Sequence, residues 1–192
     1  MEPVSRSEIL DIAEYERRRK TVRAEIMALK DRRRISLDPV LTLLFENRRT
    51  VWYQIQEMMR AERMVDEDQI REELETYAPL VPGAGQWKAT LYIEIPDLEG
   101  LKRALPRLVG IEHAVYARVG ERRVPARGEE GRSREDYTST VHYLTFDLPP
   151  DAADALQTGA PLRLGVDHPA VRSEVEVPES LRRELLADLQ GE

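Results

Sequence analysis

The apolar period of this chain changes once, at a short stretch carrying proline and glycine, Val81–Gln86 (VPGAGQ). Before it, apolar residues recur at three- and four-residue spacings. After it they alternate. A period of 3.6 and a period of 2 describe different elements, so helices are segregated from strands and the fold class is α+β. The expected arrangement is a set of N-terminal amphipathic helices packed on a mostly antiparallel β-sheet, with a C-terminal helix. Residues 1–192 read as a single domain, with 1–80 mainly helical, 87–192 strand-rich, and a soft lobe boundary near 81–86.

Entry signals place the helices. Ser5 with Glu8 forms a capping box, and Val4 with Ile9 a hydrophobic staple, so a first helix is expected from there through Val22, Ile26 and Leu29. Its other face is basic between Arg17 and Arg34, whereas Glu57–Glu75 is acidic. The basic run suits either an anionic partner or ion pairs with that acidic segment, and the second is the commoner outcome. Asn47 caps a helix whose apolar stripe is Val51, Ile55, Met58 and Met59. Asp66 with Gln69 opens another, with Val65 and Ile70 as its staple, and Ala78-Pro79 ends it.

Beyond the boundary, strands are expected over Ala89–Ile95, Ile111–Val119, Arg122–Arg127, Thr138–Leu148, Leu162–Val166 and Val171–Val177. Gly120-Glu121 suits a tight hairpin turn. Short helices are expected over Asp97–Leu108 and Asp151–Thr158, and a terminal one over Ser180–Leu189. The loop Gly128–Asp136 has charge and glycine but no apolar anchor, and is expected to be mobile. Links of hairpin length point to antiparallel pairing.

Several chemistries are excluded by residue type. The chain has no cysteine, which removes disulfides, thiolate metal sites and cysteine nucleophiles. A phosphate-binding glycine loop, a dinucleotide fingerprint, a nucleophile elbow and Glu-x-x-His are all absent. A net charge of −7 argues against nucleic-acid binding. No apolar run reaches the roughly 20 residues of a membrane span, and the charged N-terminus lacks a signal-peptide core, which together read as cytoplasmic.

One constellation is left. Strand parity puts His113 with Ile111, Val115 and Val119, His142 with Leu144 and Phe146, and His168 in register with Leu162, Leu164 and Val166. All three histidines then lie on, or just beyond, the apolar face. If their strands are neighbours, they converge on a divalent metal, with Glu112 or Asp167 as nearby carboxylates. If not, each is a separately hydrogen-bonded histidine. The arginines of Arg118–Arg134 would bind an anion bidentately unless Glu121, Glu129 and Glu130 neutralise them.

The phrases LTLLFENRRTVWYQIQEMMRAERM, ELETYAPLVPG, VGERRVPARGEEGR and LGVDHPA resemble the bacterial domain-of-unknown-function family 3501 over nearly the whole chain. The resemblance carries over no catalytic residue. It implies encoding beside rubrerythrin and an iron–sulfur protein related to heterodisulfide reductase or glycerol-3-phosphate dehydrogenase subunits. The chain is then expected to be a non-enzymatic accessory or interaction protein whose rubrerythrin-like or iron–sulfur partner carries the redox centre. Candidate contact surfaces are Arg17–Arg34 and Gly128–Asp136. The alternative is a metal-binding module, or a metal-dependent enzyme, using His113, His142 and His168.

Overall fold

The structure is a computed structural model describing residues 1–134 and 136–191. Among these residues are six α-helices and eight strands. They are α1 (Ile12–Arg32), β1 (Arg34–Asp38), β2 (Leu41–Glu46), α2 (Arg48–Glu62), α3 (Glu67–Tyr77), β3 (Gln86–Ile93), α4 (Leu98–Ala104), β4 (Val115–Val119), β5 (Arg122–Gly128), β6 (Val141–Asp147), α5 (Pro150–Gln157), β7 (Leu162–His168), β8 (Val171–Glu176) and α6 (Glu179–Gln190). No helix among them is long and apolar enough to cross a membrane.

All eight strands form one antiparallel sheet in the order β1-β2-β3-β6-β5-β4-β7-β8. The outer strands β1 and β8 come back into contact, so the sheet curls almost into a barrel. Register then decides what faces inward. Leu41, Leu43 and Phe45 of β2, Trp87, Ala89 and Leu91 of β3, and Leu144 and Phe146 of β6 share the main core with Leu156 of α5 and Leu181 and Leu185 of α6. Phe45, Trp87 and Phe146 meet at centroid distances of 5.9–6.4 Å. The Trp87 indole N–H donates to the Leu185 carbonyl at 2.9 Å, which seats α6 inside the curl. Burying a large aromatic body while satisfying its one polar atom is what tryptophan requires in a core.

The N-terminal helices differ from the expected arrangement. Their apolar residues pack mainly on one another, as one cluster of Val4, Ile9, Val51, Ile55, Met59, Ile70 and Val81 and a second of Ile26, Leu29 and Tyr53. Helix α1 lies along α2 and reaches α6, and α2 is the element that meets β2. The Ser5–Glu8 capping box does form, but it opens only a 3-10 turn. Gln56 then holds the Leu10 backbone through both its amide atoms, and α1 starts afresh at the Asp11 cap. Asn47 and Asp66 cap α2 and α3 as expected. Val65, 78% exposed, makes no staple.

Three ion pairs join α1 to α2, and of these only Arg19–Glu57 links the basic run to the acidic segment. Glu16 pairs with Arg60, Arg19 with Glu57 and Glu25 with Arg49, a ladder that only an antiparallel α1–α2 pair allows. The half-buried Glu57 also accepts from the Tyr15 hydroxyl at 2.6 Å. Arg33 behaves differently from the rest of the basic run, being 1% exposed. Its guanidinium donates to the Phe45 carbonyl at 2.8 Å, the Glu46 carbonyl at 3.3 Å, Glu184 at 3.1 Å, and Asp188. The expected loop Gly128–Asp136 includes residue 135, which lies outside the described residues. Around that residue, Ser133 bridges to Thr138, and the Ser139 N–H donates to the Arg132 carbonyl at 3.1 Å.

Arg33→Met leaves Asp188 buried without its cation, and should cost about 3–5 kcal/mol in denaturant unfolding. Adding Asp188→Leu should restore most of that loss, because the pair is then removed together. The Arg19 guanidinium holds the Glu57 carboxyl below its ordinary pKa against an opposing burial effect. A folded pKa below the unfolded one means the contribution is complete above about pH 4.3 and lost as pH falls through the folded value. Melting curves taken downward from about pH 5 should therefore fall less steeply for Glu57→Gln than for the unmodified protein.

Candidate functional site

His142 sits on the inward face of β6, fully buried. Its Nε2 lies 2.9 Å from the Ser139 carbonyl and 2.9 Å from the Thr138 hydroxyl. A carbonyl only accepts, so Nε2 carries the ring proton and Nδ1 presents a lone pair. That lone pair faces Oε2 of Glu112 at 3.8 Å, and among the described residues neither atom has a hydrogen-bond partner. Burial pushes the His142 imidazole below its ordinary pKa, with the Glu112 charge opposing.

Glu112 and His113 do not lie on a strand, because Ile111–His113 is a 3-10 turn entered through Gly110 at φ +83°. The turn sends Glu112 inward, 3% exposed, and leaves the His113 side chain 70% exposed. His113 Nε2 lies 3.8 Å from Glu112 Oε1. Gly128 makes room for the Glu112 stem, since a Cβ there would stand 2.8 Å from both its Cβ and its Cγ.

His168 is committed elsewhere. Its Nε2 donates to the Val109 carbonyl at 3.0 Å and its Nδ1 accepts from the Ala170 N–H at 3.2 Å. Asp167 is taken up by Arg123 and Arg172. The three histidines therefore do not converge. Two of them meet one carboxylate, and among the described residues no group of three or more His, Asp or Glu side chains is placed to hold a metal ion. Strand parity failed at His113 because the strand begins only at Val115. The arginines of the hairpin are neutralised, by Glu174 at Arg118, Asp151 at Arg122, Asp167 at Arg123, Asp147 at Arg127 and Glu129 at Arg132.

A second place was not singled out in the sequence. Between α2 and the outward face of β2, β3 and β6 lies a cavity of about 220 Å³. Lys30, Glu46, Gln54, Tyr77, Tyr92 and Tyr143 bring polar groups to it, beside Val51, Leu80, Thr90 and Val141. Glu46 ends β2 and is 8% exposed, its carboxylate accepting from the Thr50 hydroxyl and, at 2.7 Å, from the Thr90 hydroxyl. Burial, reinforced by the Glu46 charge, pushes the Tyr92 hydroxyl up to about 12. Tyr77 is raised by burial as well. The Lys30 ammonium stands 5.6 Å from the Tyr53 ring centroid. The available signal was tyrosine at Tyr92 and Tyr143, on the strand parity that should face water.

A family model described as a protein of unknown function, DUF3501, matches residues 3–189. No curated protein matches the chain. Among solved structures, the crystal structure of a novel protein of unknown function from Burkholderia pseudomallei K96243 is 38% identical, with a TM-score of 0.91 over 97% of this chain and 98% of that one. The chain belongs to the DUF3501 family.

Proposed function

We propose that this protein is a non-enzymatic binding protein, and that the cavity under α2 holds a small ligand bearing an ammonium group. The observation that supports this is the Glu46 carboxylate, fixed by two threonine hydroxyls in the wall of a cavity otherwise rich in tyrosine. Tyrosine faces and a desolvated carboxylate both favour a cation. Lys30, on the same lining, favours an acceptor on the ligand's other side, so a small zwitterion fits best. The volume lies below the roughly 300–1,000 Å³ of drug-sized sites, which limits the ligand to a small metabolite.

An accessory role is proposed with this. A chain without cysteine cannot hold an iron–sulfur cluster through thiolates, so the redox centre of a rubrerythrin-like or iron–sulfur partner would belong to the partner.

Calorimetric titration with a panel of small amines and zwitterions tests the binding reading. At least one should bind, and Glu46→Gln, whose amide still fits the two threonines, should weaken that ligand at least tenfold, about 1.4 kcal/mol. Lys30→Ala should weaken zwitterions more than simple amines. Equal binding by Glu46→Gln, or none by the unmodified protein, would overturn the reading. In pull-downs from native cells at low salt, recovery of neither redox partner would count against the accessory role.

A further inference from the structure

The facing acceptors of His142 and Glu112 need a physical explanation. Two lone-pair atoms, both solvent-inaccessible, stand 3.8 Å apart, and among the described residues neither has a hydrogen-bond partner. Leaving two such groups buried and unmatched costs free energy that a fold ordinarily avoids. A direct hydrogen bond does not account for the spacing, since 3.8 Å is well beyond hydrogen-bond length. A cation does. An ion about 2.1 Å from an imidazole nitrogen and about 2.1 Å from a carboxylate oxygen holds the two 3.8 Å apart at an angle of roughly 130°.

We propose that His142 Nδ1 and Glu112 Oε2 are the buried half of a binding site for a divalent transition-metal ion, completed from the surface by His113.

Three features of the surroundings fit a metal ligand set. The His142 ring donates its other N–H to the Ser139 carbonyl, the arrangement that fixes the tautomer and aim of a ligating histidine. Gly128 admits the Glu112 stem where any Cβ would collide. The third donor is adjacent, because His113 Nε2 is 3.8 Å from Glu112 Oε1 and its side chain is free to rotate in solvent.

As arranged, only two donor groups face each other, and His113 must turn to join them. Two imidazoles and one carboxylate, with water in the remaining positions, suit zinc, cobalt or ferrous iron better than calcium or magnesium. Arg132, whose charge opposes a cation at His142, is itself paired with Glu129 at 2.7 Å.

Cobalt(II) is the probe. Untagged protein stripped with a chelator is titrated while its visible spectrum is followed. Unmodified protein should bind one equivalent, show ligand-field bands of a nitrogen–oxygen site and release cobalt to zinc. His113→Ala, an exposed change, should weaken binding about tenfold. Glu112→Gln should weaken it about a hundredfold yet keep the metal-free melting temperature, because the amide N–H can donate to Nδ1. Nitrogen NMR should show cobalt perturbing His142 and sparing His168. No stoichiometric binding by the unmodified protein would overturn the proposal. So would binding unchanged in both variants, or binding that leaves the His142 ring signals untouched.

Discussion

Arg33 holds the molecule's three parts in one relation. It closes α1, its guanidinium takes the carbonyls of Phe45 and Glu46 at the end of β2, and its remaining donors meet Glu184 and Asp188 of α6. Five fixed donors in one plane allow a single side chain to engage a strand end and a helix together, which a lysine could not do. Burial raises the Asp188 carboxyl to about 6, against the pull of Arg33, so desolvation is the larger influence there. A buried pair of this kind is weak as a source of net stability, yet removing one partner is costly because it strands a buried charge. Here it ties the end of α1, the end of β2 and the C-terminal helix together at one point.

That sheet separates two kinds of chemistry. Its curl turns one face into an apolar core closed by α5 and α6, and leaves the other face polar beneath α2. Consecutive residues of β6 serve both, His142 pointing inward to Glu112 and Tyr143 outward to the cavity of Glu46. Strand geometry alone produces this, since successive side chains leave opposite faces. Glu46 belongs to the same strand end that Arg33 grips, so the cavity wall is tied to the anchor joining the lobes.

Local signals were legible and non-local ones were not. The change of period at Val81–Gln86, the caps at Asn47 and Asp66 and the strands of the second half all came from spacing within a few residues. His113 misled because Gly110 starts a 3-10 turn, and strand parity cannot be carried through such a turn. Arg33 was hidden in a basic run whose other members are exposed or half-buried, since charge runs do not reveal which member is buried. Glu46 was hidden at the end of an apolar strand, and its meaning depends on Thr90, Tyr92 and Tyr143, brought together only by antiparallel pairing across distant segments. His142 was correctly placed on the apolar face, and it faces Glu112, one of the two carboxylates expected near it, and not His168.

A ligand site and a packing gap against Glu46 would differ in what fills the outward cavity. The most direct measurement is a high-resolution crystal structure of protein purified untagged, without dialysis, from the organism that makes it. The expected result is ordered density of a small organic molecule bonded to the Glu46 carboxylate and in contact with Tyr92 and Tyr143. A cavity filled by rearranged tyrosine side chains, or by water alone, would contradict it.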